Sequence, residues 1–125
     1  MHTLFVAVLV FALGGCGFSA RPVEPIVAGA QRFFTIEWQA SPRGAQRLVR
    51  GYIKNDWGFA ATNVRLLVEG LEPPTRVVSQ RIISLGGQLA PGTRVHFETP
   101  MPLAPTYRVR VFAFDWIQSG EMYGR

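Results

Sequence analysis

No disulfide can form within this chain, because Cys16 is its only cysteine. Lysine is equally scarce: Lys54 stands alone, so the other basic residues are all arginines. The histidines are His2 and His96, and charged residues make up 17% of the chain against about a quarter in an average domain. Each shortage excludes a class of chemistry. One or two histidines with a single thiol make a poor zinc set, and the carboxylates Asp56, Glu69, Glu72, Glu98, Asp115 and Glu121 are dispersed instead of being spaced as a calcium loop. A hydrolytic triad needs a nucleophile beside a base and an orienting acid. His2 lies in a hydrophobic leader, and His96 sits between Val95 and Phe97, where an alternating stretch places an ordinary outward residue. Gly86-Gly87 has neither the Lys-Ser/Thr nor the glycine spacing of a phosphate loop and reads as a turn. The chain is therefore expected to be non-enzymatic, with no cofactor and no metal.

What is present begins with an unbroken apolar run at residues 4–13, followed by Gly14-Gly15-Cys16. A mature helix needs roughly twenty residues to cross a hydrocarbon core, so this run has the length of a signal-peptide core instead. Leu13-Gly14-Gly15-Cys16 resembles the lipobox of bacterial lipoproteins. The resemblance implies that residues 1–15 are removed as a signal peptide, that the Cys16 thiol carries diacylglycerol, and that fatty acyl chains such as palmitate hold the new amino terminus in a membrane. Two other readings are a buried free cysteine and an ordinary signal cut after Ala20, which Phe18 fits poorly. The opening Met1-His2-Thr3 departs from the pattern in carrying no Lys or Arg. Gly17 stands where an aspartate often retains lipoproteins in the inner membrane, so the resemblance favours the outer membrane, facing the periplasm.

Residues 16–31 contain Pro22, Pro25 and Gly29 with little periodic order, which reads as a lipidated cysteine and flexible tether before a domain at 32–125. Beyond that point, turn residues punctuate the chain at short intervals and no helical apolar period persists. Strands are expected at 33–39, 47–55, 62–70, 76–85, 93–99 and 106–116, with turns at Ser41-Pro42-Arg43-Gly44, Asp56-Trp57-Gly58, Glu72-Pro73-Pro74, Gly86-Gly87 and Ala90-Pro91-Gly92. Six to seven strands with hairpin-scale connections form an all-β, antiparallel β-sandwich. Period-two alternation assigns faces: Val49, Gly51 and Ile53 share one side, and Val64, Leu66 and Val68 oppose Arg65, Leu67 and Glu69.

The pattern Val49-Arg50-Gly51-Tyr52-Ile53-Lys54-Asn55, the later Leu89-Ala90-Pro91-Gly92 with Phe97, and the closing Tyr107-Arg108-Val109-Arg110-Val111 together resemble the FxLYD type of immunoglobulin-like β-sandwich. The likeness covers residues 33–117 and implies an exported adhesion, assembly or accessory module without a common catalytic residue. On physical grounds Gly51 lets a neighbouring large side chain cross the core, and the Asn55 amide satisfies turn backbone groups as its strand ends.

A net charge of +5, carried almost wholly by arginine, suits anionic lipid, lipopolysaccharide or another polyanion; nucleic acid is disfavoured because the leader removes the chain from the cytoplasm. The candidate partner-binding residues are Arg108, Arg110, Phe112, Phe114 and Trp116, which alternate on one side of a strand, with Trp57 in a nearby turn. Two arrangements remain open. Either these side chains form one exposed Arg-aromatic row that binds another envelope protein, or a bulge near Phe112 or a covering tether buries the aromatics. Trp57 and Phe59 serve equally well as a recognition surface or as a cap on the open end of the sandwich.

Overall fold

The computed structural model describes residues 21–118, so the expected signal peptide at 1–15, Cys16 and residues 119–125 lie outside the described residues. Among the described residues, seven strands follow a 3-10 turn at Ala30–Arg32: β1 (Phe34–Arg43), β2 (Gln46–Asn55), β3 (Ala60–Glu72), β4 (Arg76–Ser84), β5 (Gln88–Leu89), β6 (Arg94–Pro102) and β7 (Thr106–Ile117). Alternation explains most of them: Val49 and Ile53 are wholly buried in β2, whereas Arg50, Tyr52 and Lys54 between them face solvent.

Three strands form one sheet in the order β1-β2-β6, and the other sheet is β4-β3-β7 with β5 pairing the start of β3. Every pairing is antiparallel, which short connections permit. The result is an all-β sandwich of a three-stranded and a four-stranded antiparallel sheet. Val49, Ile53, Phe97 and Met101 of one sheet pack in one cluster with Val64, Leu66, Val68, Val109 and Val111 of the other. Tyr107, at the start of β7, donates its hydroxyl to the Pro102 carbonyl at 2.6 Å, which ties the connection between the sheets as the tyrosine corner of such folds does. Among the described residues, no strand pairs the other edge of β7.

Two expectations change. Ser41, Pro42 and Arg43 extend β1 opposite Leu48, Arg47 and Gln46, so the turn shrinks to Gly44-Ala45, with Gly44 at the positive φ of +60° that a tight hairpin turn needs. Pro42 is tolerated because β1 is an edge strand. The segment read as a tether also behaves differently from Val23 onward, as it lies on the domain. The Ile26 and Val27 N–H groups donate to the Phe112 carbonyl at 2.9 and 3.4 Å, and Ala30 is buried in the core cluster. Residues 21–29 are called the strap below.

Candidate functional site

The outer face of the four-stranded sheet carries an arrangement that strand alternation sets up. Leu67 and Glu69 point away from the core because Val64, Leu66 and Val68 point into it. Register then places Gln80 of β4 and Arg108 of β7 on either side of Glu69, with Arg110 beside Leu67. The three strands therefore offer one carboxylate two guanidinium groups and a carboxamide.

Glu69 Oε1 accepts from Arg108 Nε at 2.8 Å and from Arg110 Nη2 and Nε at 2.8 and 3.1 Å, while Oε2 accepts from Gln80 Nε2 at 3.0 Å. The side chain is 0% exposed. Burial by itself raises the Glu69 carboxyl pKa, but the hydrogen bonds from Arg108, Gln80 and Arg110, with the Arg110 charge, outweigh it and hold the group below the ordinary carboxylate value. Charge-assisted bonds of this kind are the strong ones, and here both oxygens are engaged.

The strap crosses over this cluster. Gln80 turns its carboxamide to the main chain of Val23, accepting its N–H at 3.0 Å through Oε1 and donating to its carbonyl at 2.9 Å through Nε2. Glu24 lies 3.7 Å from Arg110 Nη2, and the strap then reaches the Phe112 carbonyl on the free edge of β7. Between the strap, β1 and β7 lies a groove of about 630 Å³, with Phe34, Ile36, Val109 and Val111 among its walls.

Among the described residues, no three His, Cys, Asp or Glu come together to hold a metal ion. Compared with protein families, curated proteins and solved structures, the chain matches none. The site must therefore be read from its own geometry.

Of the residues singled out from sequence, Arg108 and Arg110 meet on Glu69, and Phe112 shares their face, packing in a small cluster with Leu67 and Ala113 under the Arg65 guanidinium at 5.3 Å. Phe114 and Trp116 do not share it. From Thr62↔Asp115 to Arg65↔Ala113, β3 advances three residues against two; from Arg65↔Ala113 to Leu66↔Val111, it advances one against two. Phe112 is thus the extra residue of a bulge in β7, and Asn63, at φ +53°, lies in the compensating bulge of β3. Beyond the bulge the faces swap, so Phe114 and Trp116 pack against the core. They join Phe33 and Phe34 in an aromatic group, with Phe34 to Phe114 at 5.0 Å and Phe114 to Trp116 at 4.8 Å between ring centres. Trp57 leans edge-on against Phe33 at 4.7 Å and remains 45% exposed. Of the two arrangements the sequence left open, the bulge near Phe112 is the one found: a basic cluster lies on one face and an aromatic end on the other, and the strap covers part of the former.

Glu69, Gln80, Val23 and Glu24 were not singled out from sequence. No sequence signal marked them, since a single apolar residue such as Leu67 on an outward face is ordinary.

The cluster makes a pH prediction. Because the folded pKa of Glu69 lies below its unfolded value of about 4.3, its contribution to stability is complete above that pH and is lost as the pH falls through the folded value. Thermal unfolding is expected to show a fall in midpoint below about pH 4 that is smaller in Glu69→Gln, since the variant has no carboxyl to protonate. At neutral pH the substitution is expected to cost about 3 kcal/mol, because two guanidinium groups lose their shared anion. Parallel acid profiles for the two proteins would refute this.

Proposed function

We propose that this chain is a lipid-anchored protein of the bacterial cell envelope, acting as a non-enzymatic interaction or assembly module. The reading keeps the FxLYD-like sandwich, the anchor at Cys16 and an outer-membrane location facing the periplasm. One observation supports the interaction role above others: β7, a twelve-residue strand, pairs only with β3 among the described strands, and a groove of mixed polar and apolar lining lies beside its other edge. Exposed edges are where proteins add a partner's strand, so a folded monomer ordinarily blunts them. The strap covers this one with only two backbone donors.

A second reading, a binder of lipopolysaccharide or anionic lipid, draws on the excess of arginine and on Arg50, Lys54 and Arg94, which stand outward on the three-stranded sheet around Tyr52. Arg94 sits 4.4 Å over the Tyr52 ring.

Palmitate labelling of the full chain tests the anchor: label is expected on the wild type and absent from Cys16→Ser. Unlabelled wild type would end the lipoprotein reading. A photoreactive side chain at position 36, in the groove wall, is expected to cross-link one envelope protein in a manner that persists in high salt, whereas the same group at position 98 does not. Capture that collapses with salt and occurs equally from both positions would favour the polyanion reading.

A further inference from the structure

We infer that the free edge of β7 takes up an extended, carboxylate-bearing apolar segment of a partner protein in the place the strap now holds, so that the strap is its resident competitor. This rests on the interaction reading above and names the mode and the chemistry of the partner.

The Gln80 contact that holds the strap is of a kind any extended chain could make, whereas the two N–H groups on Phe112 come from a bend, and an extended segment would supply one of them. Gln80 grips the main chain of Val23 from both sides, and the Phe112 carbonyl takes two successive backbone N–H groups. Neither contact reads a side chain. Among strap side chains Val27 packs against the core, while Ile26 is 68% and Val23 45% exposed and hold the strap little. A groove of about 630 Å³ stays open between the strap, which lines it through Glu24, Pro25 and Val27, and Ile36, Val109 and Val111. An incoming extended segment would take the Gln80 contact and one bond to Phe112, and larger apolar side chains on alternate positions would pack on Ile36, Val109 and Val111 more fully than the strap does.

Charge narrows the partner further. Arg108 and Arg110 share the single carboxylate of Glu69, which leaves one positive charge in excess. Glu24 answers it only loosely, at 3.7 Å and 72% exposed. A partner carboxylate placed against Arg110 suits this edge better than a neutral or basic residue. Because Gln80 and Phe112 serve whichever segment is docked, strap and partner exclude each other, and apparent affinity falls by the fraction of molecules whose strap has lifted.

The probe is a fluorescent peptide copying residues 21–31 of the chain with the substitution Val27→Phe, which offers a ring to the groove. Its binding is read by polarisation against the full chain in detergent. Ile26→Pro in the protein removes one donor to Phe112 without altering the receiving edge, and is expected to tighten binding by about tenfold or more. A second peptide that also carries Glu24→Lys should bind at least about tenfold more weakly than the first, and this control leaves the protein untouched. Equal affinity of wild type and Ile26→Pro for the peptide, equal affinity of the two peptides, or no binding at all would overturn the proposal. If binding fails while cross-linking from position 36 persists, strand exchange falls and the interaction reading stands.

Discussion

Replacing Gly51 by alanine is expected to destabilise the fold by about 4 kcal/mol or more, which is exceptional for one added methyl group. Alternation puts position 51 on the core side of β2 between Val49 and Ile53, both wholly buried, so an apolar side chain would ordinarily be welcome. Register explains why none fits: Trp38 of β1 is the direct partner of Gly51, and the β1 backbone is drawn in so closely that a Cβ would lie 1.8 Å from the Glu37 carbonyl oxygen and 2.6 Å from the Trp38 Cα. Both are main-chain atoms, so no rotamer change relieves the contact and the β1–β2 pairing must open. Gly58→Ala is the control, because no atom lies within 4 Å of the added carbon. It should change stability by less than about 1 kcal/mol, in either direction. Urea unfolding of the two variants gives the comparison, and a Gly51→Ala protein that unfolds with Gly58→Ala would show that β1 does not press on β2 as described.

That contact also marks where sequence reasoning stops. The alternation around Gly51 correctly implied close approach, but a large side chain was expected in the gap and the β1 backbone is there instead. Side-chain periodicity reports which face a residue is on; it carries no information on how far one strand leans over its neighbour. Strand positions were legible for the same reason that face assignments were, since turn residues and period-two apolar spacing are local signals. Ser41-Pro42 is the exception, because proline reads as a turn unless the strand is known to be an edge.

The site was less legible. Arg108 and Arg110 could be paired from their spacing alone, but their shared anion lies 39 and 41 residues earlier in the chain, and only the β3–β7 register brings it to them. Phe114 and Trp116 were separated from Arg110 by one extra residue at Phe112, and a single bulge reverses every face beyond it. The strap was hidden by its composition. Pro22 and Pro25 signal an unpaired chain, and residues 21–25 do lack regular structure while 26–29 bend, yet the open edge of a sheet can hold such a segment against it.

Asn55→Ala is the second large effect, with an expected loss of about 3 kcal/mol. The side chain is wholly buried, and each of its polar atoms is engaged: Nδ2 donates to the Phe59 and Leu89 carbonyls at 2.8 and 2.9 Å, and Oδ1 accepts the Trp57 N–H at 2.8 Å. Its backbone adds a donor to Thr93 and an acceptor for Gly92, so one residue joins the turn after β2 to the turn before β6. Truncation leaves three main-chain groups without partners in a space that a methyl group does not fill. Asn55→Asp is expected to be worse than alanine at neutral pH, although it is nearly the same shape, because a buried carboxylate would face two carbonyl oxygens with no proton to offer. Urea midpoints rank the three proteins. Hydrogen exchange at the Trp57 amide adds a local readout, since that proton should lose protection in Asn55→Ala even where the sandwich stays folded. If aspartate proves as stable as asparagine, then Nδ2 is not what holds the two carbonyls together, and the aromatic end carrying Trp57 is fixed by packing on Phe33 instead.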